Sequence, residues 1–167
     1  MTDSHRTMRL ELLKKVYEMT CKVSPVEEGD LVACAEYHHE DEMYFTCQSM
    51  NIWGLQDKEL VYIFSGNKLS KDGYESNMKT SLERSNGLIK PDKKLRCATI
   101  TTILIYDSVD DDVLDLIRSH DEKEYHKMSL NGWSIHRVAT VLTDSHTVVT
   151  DKRGANLIRR LNRIAEI

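Results

Sequence analysis

The sequence predicts an α+β fold: a largely antiparallel sheet of about six strands, with helices at both termini and one or two between. Three observations predict it. Residues 96–106, "RCATITTILIY", are dense in Thr and Ile and largely apolar on both faces, as in a central, covered strand. Other strand-like runs follow one another through short turns, which reads as an antiparallel meander with helices segregated to one face or end. Both ends of the chain carry helical periodicity. The 167 residues are read as one domain, 1–167, long enough to bury a core.

Residues 6–22 predict an amphipathic helix. Met8, Leu12, Val16, Met19 and Val23 recur at helical steps among charged residues, and Ser4 or Thr7 can cap it. Pro25 and Gly29 break the pattern. Residues 30–38 and 43–52 read as two strands around a charged turn. A turn centred on Glu40 and Asp41 would set Cys34 opposite Cys47. Residues 59–65 are a third strand, followed by a loop, "GNKLSKDG".

A helix over 72–87 should end at Gly87, a left-handed C′ position. Its apolar stripe is thin (Tyr74, Met78 and Leu82), which predicts a surface helix. After the 96–106 strand, residues 109–119 predict a short helix capped by Ser108, with Asp110, Asp111 and Asp112 at its positive end. Residues 124–130 and 133–142 read as a hairpin around Asn131-Gly132. A short strand at 147–150 and a helix over 152–166 complete the order; the helix packs through Leu157, Ile158, Leu161, Ile164 and Ala165.

A phrase recurs at an offset of 80 residues. Ser49, Asn51 and Trp53 return as Ser129, Asn131 and Trp133, the only two tryptophans, and Val61/Val141 and Ser65/Ser145 keep the offset. The halves 6–87 and 96–166 are candidate copies of an α-β-β-β-α duplication. Trp53, Trp133, Asn51 and Asn131 are candidates for a ligand site, or for a structural corner used twice.

Composition is that of an ordinary globular protein: 40% apolar, 30% charged, with two prolines and no low-complexity run. The formal charge of −4 makes a dedicated nucleic-acid partner unlikely. No stretch approaches the roughly 20 apolar residues that span a bilayer, and the N-terminus has no apolar core of a signal peptide. The expected location is cytoplasmic, with no membrane partner. Cys21, Cys34, Cys47 and Cys97 show neither a C-x-x-C pair nor zinc spacing, which suits reduced thiols.

Candidate chemistry is sparse. His38, Glu40 and Glu42 would share one side of an extended chain and are weak metal ligands, but a solvated hairpin tip explains the same residues. Asp107 with Asp110–Asp112 could hold Mg²⁺, though helix capping is the simpler account. His126, His136 and His146 could sit on one sheet surface as acid/base groups. No nucleophile elbow or phosphate loop is present. A nuclease would recruit Asp107, Glu124 and Lys127, yet Glu124 and Lys127 would face opposite ways on a strand. Arg159, Arg160 and Arg163, with Lys152 and Arg153, make a local basic patch in an acidic protein.

The run from "IKPDKKLRCATITTILIYDSV" through "EKEYHKMSLNGW" to "VVTDKRGANLIRRL" resembles an uncharacterised prokaryotic domain family of the clostridial and methanogen type. The likeness lies in the Thr/Ile-rich strand before an acidic helix, and in the Gly-Trp strand start at Ser129, Gly132 and Trp133. It extends to the Thr150-x-x-x-Gly154 opening of the last helix, and to "NIWG" before "VYIFS". The family often has His-Gly-Trp where this chain has Asn131-Gly132-Trp133. The resemblance implies one folded unit and supplies no activity.

The expected function is that of an uncharacterised non-catalytic domain that binds protein or a small ligand. Its partners would be a second copy of itself as a homodimer, another protein, or a small molecule; no cofactor is expected. The alternative is a metal-dependent hydrolase or nuclease-like enzyme using His and carboxylate groups at strand ends. Such an enzyme should gather at least three of Glu36, His38, Glu40, Glu42, Asp107, His126 and His136 around one cleft.

Overall fold

The computed structural model describes residues 7–11, 13–14, 22–38, 56–89, 95–126 and 132–165. Their strands are β1 (Lys22–Glu28), β2 (Leu31–His38), β3 (Gln56–Leu69), β4 (Leu95–Val109), β5 (Glu122–Tyr125), β6 (Trp133–Leu142) and β7 (Thr147–Thr150). The helices are α1 (Lys71–Leu88), α2 (Asp111–Ser119) and α3 (Ile158–Ala165), the last preceded by a 3₁₀ turn, Lys152–Leu157. Residues 7–11, 13 and 14 are also helical.

The fold is α+β around one mixed sheet of order β1-β2-β3-β4-β6-β5, with β7 also on β6. Four of its six pairings are antiparallel. The centre departs from the expected meander: β3, β4 and β6 run parallel, so helices must carry the chain back between them. Parallel strands need cover on both faces. Leu60, Tyr62, Phe64, Ile100, Leu104, Tyr106 and Val138 face α1 and α2 in one core cluster. Val61, Ile63, Ile103, Ile105, Ala139 and Val141 face Leu13, Leu157 and Leu161 of the terminal helices in the other. Helices therefore cover both faces rather than one. Strand alternation sorts the central residues: even numbers over 60–64, 98–106 and 134–138 look toward α1, odd numbers toward the termini.

Several local expectations change. Residues 22–28 form an edge strand rather than a break, and the edge tolerates Pro25 because its missing N–H leaves the sheet intact there. Cys34 lies between Ser24 of β1 and Tyr62 of β3, so both its lateral neighbours are taken and Cys47 cannot pair with it. The predicted 43–52 strand and the Glu40–Asp41 turn lie outside the described residues. β3 runs on to Leu69 through the predicted loop. Gly87 stays inside α1, which ends at Ile89 with φ −82° and a bond from its N–H to the Ser85 carbonyl. Ser70 caps the other end by accepting from Gly73 N at 3.2 Å.

α1 is packed, not superficial. Tyr74, Asn77, Met78, Ser81 and Ser85 are all buried against the sheet. A thin apolar stripe suffices because the small polar groups find partners: Asn77 Nδ2 donates to Tyr106 Oη at 2.8 Å, and Ser85 Oγ to Tyr62 Oη at 3.2 Å. The N-cap of α2 is Asp110 rather than Ser108, with no side-chain cap bond, and its first turn carries Asp111 and Asp112 at the positive end. Tyr125 pairs with Trp133, so the β5–β6 connection spans residues 126–132 and not a two-residue Asn-Gly turn. Gly132 takes φ +79° there, where glycine is favoured. Of the 80-residue matches, Val61 and Val141 share the terminal-helix face, while Ser65 lies in β3 and Ser145 in the β6–β7 turn.

The last helix opens through Asp151, 2% exposed. Its Oδ1 accepts from Gly154 N at 2.6 Å and its Oδ2 from Val138 N at 3.1 Å. Asp151→Ala should lose the cap and leave the buried Val138 donor bare, a cost of about 2 kcal/mol. Urea unfolding measures it; a loss below about 0.5 kcal/mol would show that water replaces the carboxylate.

Candidate functional site

The feature that stands out is a cleft of about 280 Å³ on the α1 face, lined by Leu82, Asn86, Ile89, Ile100, Glu122, Glu124, His126, Ser134 and His136. Antiparallel pairing builds it. Glu122 stands opposite His136 and Glu124 opposite Ser134, so all four point to the same face. His120, where α2 ends, and His126, where β5 ends, continue the alternation: His120, Glu122, Glu124 and His126 repeat at period two.

His136 is 2% exposed and held by a directional chain. Ser81 Oγ donates to the Asn77 carbonyl at 3.1 Å, and Thr102 Oγ1 donates to Ser81 Oγ at 2.8 Å. Each hydroxyl has one proton and the carbonyl can only accept. The remaining contact, Thr102 Oγ1 to His136 Nε2 at 2.9 Å, must therefore have the ring as donor. That fixes the Nε2–H tautomer and leaves the lone pair on Nδ1. Burial, and secondarily the neighbouring His120, pushes the His136 pKa down to about 3, so the ring is neutral at ordinary pH.

Nδ1 makes no hydrogen bond among the described residues, although it is buried. Facing it at 3.5 Å is Glu122 Oε2. His120 sets its ring edge-on to His136, with centroids 5.1 Å apart, and its Nε2 lies 3.2 Å from the His136 carbonyl. His126 Nε2 is likewise buried without a partner, and its Nδ1 lies 3.9 Å from Glu124 Oε1. The cleft thus gathers the His136 Nδ1 lone pair, a second ring nitrogen and two carboxylates.

A second groove, about 470 Å³, runs past Cys34, Glu36, Tyr62 and Arg84. Its polar groups are matched: Arg84 bonds Glu28, Lys58 pairs with Glu36 at 2.7 Å, and Tyr62 accepts from Ser85. Burial pushes the Cys34 thiol pKa up, which disfavours a reactive thiolate.

Of the sequence candidates among the described residues, His126 and His136 line the cleft together with Glu124. His146 is on the other side of the sheet, its Nδ1 2.7 Å from Arg9 Nη2; the buried Arg9 also donates to the Thr143 carbonyl at 3.1 Å. Asp107 accepts from Thr143 Oγ1 at 2.7 Å, away from Glu124. Glu36 belongs to the second groove. His38 ends β2, with its side chain outside the described residues, as are Glu40, Glu42, Asn51, Trp53, Lys127 and Asn131. Trp133 is half-buried under Lys123 Nζ, 5.1 Å from the ring centroid, and by strand parity faces away from the cleft. Arg159 and Arg163 are exposed on α3, and the Arg160 side chain is not described. Arg153 is bound to Asp121 at 2.7 Å.

His120 and Glu122 are absent from the sequence candidates because strand propensity starts this strand at 124. The alternation H-x-E-x-E-x-H over 120–126 was the available signal.

Comparison with known proteins gives one family: a model described as a domain of unknown function (DUF8052) matches residues 8–163. No curated protein and no solved structure matches.

Proposed function

The chain belongs to this family of unknown function, and from its geometry we propose that it is a small-ligand-binding domain whose seat is the cleft between α1, β5 and β6. The ligand is a small cation or a donor-rich molecule. One observation carries this reading: two buried ring nitrogens, His136 Nδ1 and His126 Nε2, make no hydrogen bond among the described residues and lie beside the carboxylates of Glu122 and Glu124. Burying an unmatched acceptor costs free energy, and a bound donor or cation recovers it. Leu82, Ile89 and Ile100 give the cleft apolar walls.

The test is NMR titration with a panel of primary amines, guanidinium and divalent ions. Binders should move the His126 and His136 ring signals. Glu122→Gln with Glu124→Gln should weaken them at least tenfold, about 1.4 kcal/mol. Binding that leaves those rings unmoved, or that the double variant keeps, removes the proposal.

A hydrolytic enzyme is the second reading, favoured by Glu124 and His126 lying beside the same cleft. Against it, only His126 and His136 of the seven residues named for such an enzyme line the cleft among the described residues. Self-association has thinner support: among the described residues the exposed large apolar side chains are Met8, Leu88 and Ile158, on three separate elements. No helix among the described residues is long and apolar enough to cross a membrane.

A further inference from the structure

At the cleft, which Glu122 and His136 line, three donor groups converge, the third being His120 beside them. His120, Glu122 and His136 each offer one ligating atom, and these atoms lie within 4.8 Å of one another. We infer that His120, Glu122 and His136 form the seat of a single divalent transition-metal ion of the zinc class, an inference that rests on the cleft reading above and names its ligand.

The hydrogen-bond chain is the first support. Asn77, Ser81 and Thr102 orient the protons so that His136 donates through Nε2 and presents Nδ1 as a lone pair. Metal-binding imidazoles are held in this way, the far nitrogen donating to a fixed acceptor while the near one ligates. The second support is the pair that Nδ1 forms. A lone pair opposite a carboxylate oxygen at 3.5 Å is repulsive unless a proton or a metal cation lies between them, and a metal cation satisfies both groups while they keep their unprotonated forms.

Distance is the third support. With zinc bonds of about 2.0–2.1 Å, neighbouring donors of a tetrahedral site lie roughly 3.3–3.4 Å apart. The 3.5 Å between Nδ1 and Oε2 is within a small side-chain adjustment of that. Glu122 can make it, because its side chain is 49% exposed and so not locked by packing.

The donor set has a specific chemistry. Two imidazoles and one carboxylate suit zinc and its neighbours in the first transition row, not Mg²⁺ or Ca²⁺, which prefer all-oxygen shells. Three protein ligands leave a fourth position open. Glu124, His126 and Ser134 line the same cleft as Glu122 and His136. A molecule entering the cleft can therefore complete the ion's shell and hydrogen-bond the protein at once.

The experiment uses the full chain without an affinity tag. Metal-free protein is titrated calorimetrically with Zn²⁺, and with Co²⁺ followed by visible absorption. One ion per chain is expected, with Co²⁺ bands of a four- or five-coordinate site and no thiolate charge-transfer band. Glu122→Gln and His120→Ala each alter a side chain at the cleft edge, so the fold should survive, as circular dichroism can verify. Each should weaken Zn²⁺ at least tenfold. Thr102→Val, which removes the acceptor behind His136, should weaken it less while leaving one ion per chain.

Three outcomes overturn the inference: no stoichiometric ion, equal affinity in both ligand variants, or a Co²⁺ spectrum dominated by thiolate. If amines or guanidinium still bind in the cleft while no metal does, the metal assignment fails and the ligand-binding reading stands. If neither binds there, both fail.

Discussion

Glu59→Ala is expected to cost the fold about 3–5 kcal/mol, because it removes the carboxylate paired with a buried guanidinium. The Arg137 side chain is 4% exposed and that of Glu59 14%. Arg137 Nη2 reaches Glu59 Oε1 at 2.5 Å, Nε donates to Thr101 Oγ1 at 2.7 Å, and Nη1 donates to Asn156 Oδ1 at 3.1 Å. Thr101 Oγ1 in turn donates to Glu59 Oε1 at 3.0 Å. These groups tie the three parallel strands β3, β4 and β6 to the turn that opens the last helix. Their attraction to one another offsets a large desolvation cost, so removing the carboxylate leaves much of the guanidinium's share of that cost without its opposite charge. Replacing the set by apolar residues of similar size, Glu59→Leu with Thr101→Val and Arg137→Met, should be far less harmful than Glu59→Ala alone. Urea denaturation of the three proteins measures the contrast. A single variant losing less than about 1 kcal/mol would show a pair solvated like a surface bridge.

Acid should remove stability through His136, by on the order of 4–5 kcal/mol in the metal-free protein. The ring's pKa falls from 6.5 to about 3 on folding, chiefly because burial disfavours its charged form. Between these values the unfolded chain holds the proton and the folded chain does not. The contribution is therefore whole above pH 6.5, declines as pH falls, and is gone below about 3. Thr102 bonds the ring, while His120, Glu122, Glu124 and His126 share its surroundings. His136→Gln carries no titrating group, and its amide can still donate to Thr102. Unfolding free energies measured from pH 7 to 4 with a chelator present should slope less in this variant, by up to 1.4 kcal/mol per pH unit for the one proton. Equal slopes in the two proteins would place the acid sensitivity elsewhere.

The same ring shows how far local sequence carries. β4 was legible because Ile100, Ile103, Leu104 and Ile105 put apolar groups on both faces, and only a strand covered twice needs that. β6, β7 and the existence of α1 and α2 were legible from their runs and turns. The site was half legible. His126 and His136 were candidates, but as isolated letters. His120 and Glu122 join them only when β5 begins at Glu122, two residues earlier than strand propensity placed it. Charged residues at a short edge strand have low β-propensity, so pairing with β6 decides that boundary rather than the residues themselves.

By itself the sequence determined the α+β class, the doubly apolar strand at the centre, and the periods that set which residues share a face. These follow from side-chain geometry over a few residues. Tertiary structure alone decided the parallel order of β3, β4 and β6, the cover of both sheet faces, and the burial of α1 through Asn77, Ser81 and Ser85. It also brought His120 and Glu122 to His136. Those outcomes depend on contacts between residues far apart in the chain, such as Ser81 with Thr102 and Thr102 with His136, whose partners no local pattern can name.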